Sequence, residues 1–242
     1  MEQFRPTGFN ILPPVVKNLL IINALFFLGT IATSSMFDLS DYLGLHYPAS
    51  ELFKPHQLVT YMFMHGGFGH ILFNMFALWM FGNALENVWG PKRFLVFYMV
   101  TGIGAGILQI LVMYLQISNI EAKLDPGTIA MVREQGLQII QEGKNYADPL
   151  LGKLNGIYNS TTVGASGAVF GLLLGFGMLF PNSIIYLYFA IPIKAKYFVM
   201  GYGALELIMG FRNSASDNVA HFAHLGGMLF GYFLIMYWKK KP

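Results

Sequence analysis

The 242-residue chain contains no cysteine, and only 11% of its residues are charged. The first absence excludes thiolate nucleophiles, Cys-ligated zinc and disulfides, and it leaves the redox compartment open. The second sets the chain apart from ordinary soluble domains, where about a quarter of residues are charged. No His-Glu-x-x-His run occurs, so zinc-protease chemistry has no ligand set. No basic stripe with interleaved aromatics occurs either, and nucleic acid is not expected as a partner. What the chain has instead is apolar surface. Hydrophobic residues make up 55% of it and mean hydropathy is +0.53, too much for one soluble core. The expected class is an all-α, multi-pass membrane protein.

Six helical spans fit the hydrophobic runs, at roughly 15–35, 58–83, 93–117, 162–180, 195–211 and 219–238. The run near Val15 is about as long as a bilayer requires and no small-x-small site follows, so it reads as a retained first helix. Gly90-Pro91 separates the second span from the third, and Pro181-Asn182 closes the fourth. Pro192 and Lys194 make 184–193 a short re-entrant or interfacial stretch. Residues 1–14 form a short N-terminal segment, 15–238 the six-span domain and 239–242 a basic tail. One long polar stretch, 118–160, holds the turn signal Asp125-Pro126-Gly127 and then one helix-compatible run. It reads as a solvated loop with one surface helix, or as a helix lying on the bilayer or guiding substrate.

The spans sort the charges. Arg5, Lys17, Lys92, Arg93, Lys194, Lys196, Lys239, Lys240 and Lys241 fall on one side. Lys54, Lys123, Arg133, Lys144, Lys153 and Arg212 fall on the other, with nearly all the acids, Asp217 among them. The positive-inside rule then makes both termini cytoplasmic. The compact form points to a bacterial inner membrane.

Polar side chains inside such spans are functional-site candidates by default. Ser166 lies in Gly164-Ala165-Ser166-Gly167 and His224 in Ala223-His224-Leu225-Gly226-Gly227. On the span assignment both sit on the order of 10 Å below the outer surface. Glycines around each let two backbones approach, which would bring a hydroxyl to an imidazole as nucleophile and base. Spans four and six carry no acid, so the pair is expected to act as a dyad, its imidazole held by packing against Phe170. In span two, His70 and Asn74 are four apart on one helix face. With the Ser166 amide they would supply donors to an oxyanion. His65, five residues before His70, would then face elsewhere, about 140° around the same helix. Hydrolysis consumes water, so a hydrated central cavity is expected.

Each of these residues has a plainer reading. Gly164, Gly167, Gly171 and Gly175 could be a packing seam with Ser166 on it. His221 and His224 at i, i+3 could hold a metal or relay protons, and His70 and Asn74 could simply tie helices together. Paired intramembrane aspartates are missing, Glu86 and Glu206 being the only carboxylates in or bordering spans. A transporter would show inverted repeats, and no clear similarity joins the two halves.

Taken together the motifs resemble the rhomboid family of intramembrane serine proteases. The resemblance rests on His70-x-x-x-Asn74, Gly164-Ala165-Ser166-Gly167 and Ala223-His224-x-x-Gly227-x-x-x-Gly231, in order and on matching spans. It also includes Phe81-Gly82-x-x-Leu85-Glu86-x-x-x-Gly90-x-x-Arg93-Phe94, and covers about 50–238 without most of 118–160. It implies a six-helix bundle, Ser166 as nucleophile, His224 as general base, and His70 and Asn74 as oxyanion donors beside the Ser166 amide. Phe170 would lie against the histidine, and Gly227 and Gly231 would press span six on span four. Glu86 and Arg93 match structural positions. Substrates would be single-span membrane proteins, cut near the outer end of a helix that unwinds easily; no cofactor or metal is implied. Neither a physiological substrate nor an oligomeric state is legible. The chain departs from the family at Pro55-His56-Gln57, where many members carry Trp-Arg. The rival within the resemblance is a catalytically silent relative that binds membrane clients.

Overall fold

The computed structural model describes residues 10–187, 190–212 and 219–240. Arg5, Asp217 and Lys241, used in the charge argument, lie outside the described residues, as does most of the N-terminal segment. In chain order the helices are α1 (Pro14–Thr33), α2 (Leu39–Leu43), α3 (Gln57–Thr60), a 3-10 turn (Tyr61–Phe63) and α4 (Phe68–Ala77). A π turn (Leu78–Gly82) then leads into α5 (Asn83–Glu121). After it come α6 (Pro126–Gln141), α7 (Pro149–Asn159), α8 (Ser166–Leu179), α9 (Ala195–Arg212) and α10 (His221–Lys240). Among the described residues, two apolar helices are long enough to cross a membrane by length and composition, Pro14–Thr33 and the run Phe68–Glu121. Ser166–Leu179 is apolar but shorter.

The long run is bent at Gly90, where φ is 76° and ψ is 165°. Pro91 disfavours helical geometry at the residue before it, and only glycine takes this positive φ without strain. The break expected from Gly90-Pro91 is therefore a kink at which the chain turns back without a loop. The second helical run does not extend unbroken from 58. It is interrupted at Met64–Gly67 and restarts at Phe68, because two consecutive glycines interrupt the apolar pattern.

Helices α5, α8 and α10 contact one another most extensively, with α9 against α8 and α10 and α1 against α5. Their shared core includes Leu85, Phe94, Phe97, Tyr98, Ala168, Leu172 and Ile235. On the outside, large apolar side chains stand free. Phe73 and Phe211 are each 74% exposed, and Leu25, Leu28 and Ile31 follow the outward stripe of α1. An apolar belt of this extent is what a hydrocarbon environment covers.

Glu86 is buried at the foot of α1, where its carboxylate accepts the Val15 amide at 3.0 Å and the Val16 amide at 2.8 Å. These are two of the orphan donors at a helix start, and an anion there also complements the helix dipole. Glu86→Ala would strand both amides, at a cost of about 1–3 kcal/mol each before relaxation. Thermal unfolding in detergent should show a lower midpoint, with an unchanged reactive site well below it.

The segment 118–160 carries two helices where one was expected. Asp125 caps α6 and Asp148 caps α7, each followed by a proline in the first turn. The helices pack on each other and on the end of α5 around Ile117, Ile120, Val132, Leu154 and Tyr158. Arg133 bridges Glu121 at 2.8 Å and Tyr158 at 2.8 Å. Burial and the Glu121 carboxylate push the Tyr158 hydroxyl up to about 12. The stretch 184–193 is an antiparallel hairpin, β1 (Ile184–Leu187) with β2 (Ile191–Lys194), paired from Ile184↔Lys194 to Leu187↔Ile191. Alternating β-branched residues favour this over a helix.

Candidate active site

Ser166 is the first helical residue of α8. Its approach is set by Gly164, whose φ of 133° suits glycine alone. A side chain at 164 would also meet the His70 ring at 2.9 Å, so this glycine lets an imidazole lie beside the serine turn. The Gly164 amide donates to the Tyr61 carbonyl at 2.9 Å, and Leu45 pairs with Thr162 through two 2.9 Å backbone bonds. The segment before α8 is thereby tied to the chain on either side of α3.

His224 lies in the first turn of α10, buried at 8% exposure. Its Nε2 is 2.8 Å from Ser166 Oγ. The Phe170 ring stacks on the imidazole, with centroids 4.1 Å apart and planes inclined by 6°. This proximity comes from glycine. A Cβ on Gly227 would overlap the Gly167 carbonyl oxygen, and one on Gly167 would overlap Ala105. Farther along, a Cβ on Gly231 would lie 3.6 Å from the Gly171 Cα.

The expectation that packing alone holds the imidazole is corrected here. Glu206 of α9 is buried, and its Oε2 lies 2.8 Å from His224 Nδ1 and 2.6 Å from His221 Nδ1. The acid stands on neither of the helices that carry the serine and the histidine but on α9. Yet the sequence held the signal: a carboxylate inside an apolar span demands a partner. Glu206 thus faces the Nδ1 edge of the His224 ring and Ser166 Oγ the Nε2 edge. Tyr202, one turn before Glu206 on α9, has its ring 5.4 Å from Phe170.

His70 and Asn74 share the first part of α4. The Gly66 amide approaches His70 Nδ1 at 3.3 Å, which assigns the ring proton to Nε2, the nitrogen nearer Gly164. Asn74 Nδ2 donates to the His70 carbonyl at 2.9 Å, which uses one of its two hydrogens. His65 does not face away from His70 as expected. It precedes α4, so helical spacing does not apply, and its ring packs edge-on against His70 at 5.1 Å.

At the departure Pro55-His56-Gln57, the glutamine side chain is drawn into the fold. Gln57 is fully buried, donating to the Leu52 carbonyl at 2.8 Å and the Tyr42 carbonyl at 3.3 Å and accepting the His46 amide at 3.3 Å. Its neutral amide gathers the first loop around itself. Arg93 of the motif region lies 5.9 Å from the Trp238 ring.

Residues 53–241 match the model of the Rhomboid domain family. Among individual proteins, the chain is 29% identical over 180 residues to the putative rhomboid protease YdcA of Bacillus subtilis, covering 74% of this chain and 64% of that one. It is 27% identical over 175 residues to RHOMBOID-like protein 12, mitochondrial, of Arabidopsis thaliana, covering 71% and 43%. Against the rhomboid protease AarA of Providencia stuartii it is 26% identical over 183 residues, covering 70% and 51%. The matched regions thus span between 43% and 64% of these relatives.

Proposed function

The chain belongs to the rhomboid family of integral membrane proteins, and from that premise we propose that it is an intramembrane serine endopeptidase acting on single-span membrane proteins. The observation that carries this reading is the 2.8 Å contact between Ser166 Oγ and His224 Nε2. The proposed frame is a six-span bundle in a bacterial inner membrane, termini cytoplasmic, with a hydrated cavity at the serine. Helix α8, at 14 residues, is about 21 Å long, shorter than the roughly 30 Å hydrocarbon core. Its first residue therefore lies below one surface when its other end reaches the opposite one. A substrate helix that unwinds near its outer end would present a peptide bond at that depth.

As Ser166 Oγ attacks the scissile carbonyl, its proton passes to His224 Nε2. The carbonyl oxygen becomes an oxyanion. Donors stand ready for it in the Ser166 amide at the positive end of α8, His70 Nε2–H and the second hydrogen of Asn74. The protonated imidazole then gives its proton to the leaving amine. Water, activated by the same imidazole, hydrolyses the acyl-enzyme and restores the serine. Phe170 keeps the ring in plane throughout.

Co-expression with a panel of single-span reporters tests the reading. Wild type should release the outer portion of at least one reporter, and Ser166→Ala should release none. Reporters bound but uncut by wild type would instead mark a client-binding protein. The donor assignment makes a separate prediction. Asn74→Ala should lower kcat by on the order of a hundredfold with little change in KM, since the donor is used mainly in the transition state. An unchanged kcat would remove Asn74 from the oxyanion site.

A further inference from the structure

Helix α9 places one buried carboxylate between two imidazoles of α10, and only one of those imidazoles reaches the serine. Glu206 Oε2 takes both contacts, at 2.8 Å from His224 Nδ1 and 2.6 Å from His221 Nδ1. Its position is not adjustable. Tyr202, Glu206 and Gly210 follow at four-residue steps along one face of α9. Tyr202 packs on Phe170. Gly210 brings α9 so close to α10 that a Cβ there would lie 3.1 Å from Phe222 and 3.3 Å from the His221 Cβ. The carboxylate is thus held from both ends, on a helix packed against α8 and α10.

We propose that Glu206 is the positioning residue of a three-membered Ser166–His224–Glu206 relay, with His221 bracing the carboxylate from its other side. The inference rests on the serine-protease reading and replaces its two-residue form. Three consequences follow from the geometry. An acceptor at Nδ1 fixes the tautomer in which Nε2 is free to take the Ser166 proton. Two bonds to one oxygen, both charge-assisted, fix the carboxylate and with it the ring plane that Phe170 already restrains. When the proton arrives at Nε2, the resulting imidazolium lies against a buried anion, where that attraction is stronger than in solvent. Glu206 gains and loses no proton in this scheme. Its work is done through His224.

Two measurements test it on the full chain in detergent. The first needs no variant. Proton NMR of 15N-histidine-labelled wild type should show imidazole Nδ1–H resonances downfield of the backbone amides, one of them lost in His224→Ala and retained in His221→Ala. No such resonance in wild type would overturn the proposal. So would its appearance only after a chelator is added, because the same three side chains bring one ligand atom each within 4.8 Å and a divalent cation would then occupy the proton positions. The second measurement uses Glu206→Gln, which keeps the shape and removes the charge. Its kcat on a cleaved reporter should fall by on the order of a hundredfold or more with KM little changed. The His224 signal should move upfield while the thermal midpoint stays near that of wild type. Wild-type kcat in this variant would overturn the positioning role and leave Ser166 and His224 as a working pair. A wild type that cuts nothing would defeat the protease reading instead, and the NMR result would still decide the hydrogen bond.

Discussion

Ser166→Ala is expected to abolish covalent labelling of the solubilised protein by a fluorophosphonate, and His224→Ala to slow it by on the order of 10⁴-fold or more. The two variants fail for different reasons. On the proposed mechanism the first has no nucleophile; the second keeps a hydroxyl whose proton has no acceptor, since the proposed base is His224 Nε2, 2.8 Å from Ser166 Oγ. Groups that act as one unit are strongly non-additive. The double variant should therefore cleave reporters no more slowly than the worse single one. A transporter using its histidines as a relay, or a protein that only holds membrane clients, has no activated serine and would be unlabelled as wild type. Labelling of Ser166→Ala at the wild-type rate would place the reactive hydroxyl elsewhere and dissolve the site.

How far the sequence alone leads differs from residue to residue, for physical reasons. Ser166, Phe170 and His224 were legible because each is an exception within an apolar run or one turn from such an exception, and the structure brings the three side chains together. Glu206 was just as exceptional, but its partners lie on another helix, and the packing of α9 is not written in its own periodicity. The second helix of the 118–160 segment announces itself by Asp148-Pro149, the same cap-and-proline signal as Asp125-Pro126. Its polar face hid it, since surface helices show little apolar contrast. His65 lies beside His70 because a 3.6-residue period does not carry across Gly66-Gly67, where the helix has not yet begun. Gln57 shows the converse limit. The departure from the family pattern does not reveal that this side chain is buried, where an amide with two donors and an acceptor can hold a loop through backbone carbonyls and an amide.

The contact between Gly167 and Gly227 fixes the distance on which the chemistry depends, and Gly227→Val should therefore inactivate without touching Ser166, His224 or Glu206. Gly227 lies one turn after His224 on α10, and Gly167 directly follows Ser166 on α8. A Cβ on residue 227 would overlap the Gly167 carbonyl oxygen and stand 2.7 Å from its carbonyl carbon. Ordinary C···O separation is about 3.3–3.6 Å, so the helices must part by roughly 1.5 Å for the first added carbon alone. Valine adds two more. Neither helix has room to recoil, because Gly226 already stands against the Ala105 backbone and Gly171 against Thr101. A displacement of that size opens the 2.8 Å serine–histidine contact beyond hydrogen-bond range. Misplacement by about 1 Å is enough to cost a hundredfold, so loss of turnover well beyond that is expected. Overpacking should also lower stability by about 1–3 kcal/mol. The decisive measurement is fluorophosphonate labelling at a temperature where the variant remains folded and monodisperse. Labelling at the wild-type rate would mean that α8 and α10 are held together elsewhere, and that the glycines are a seam with no bearing on the serine.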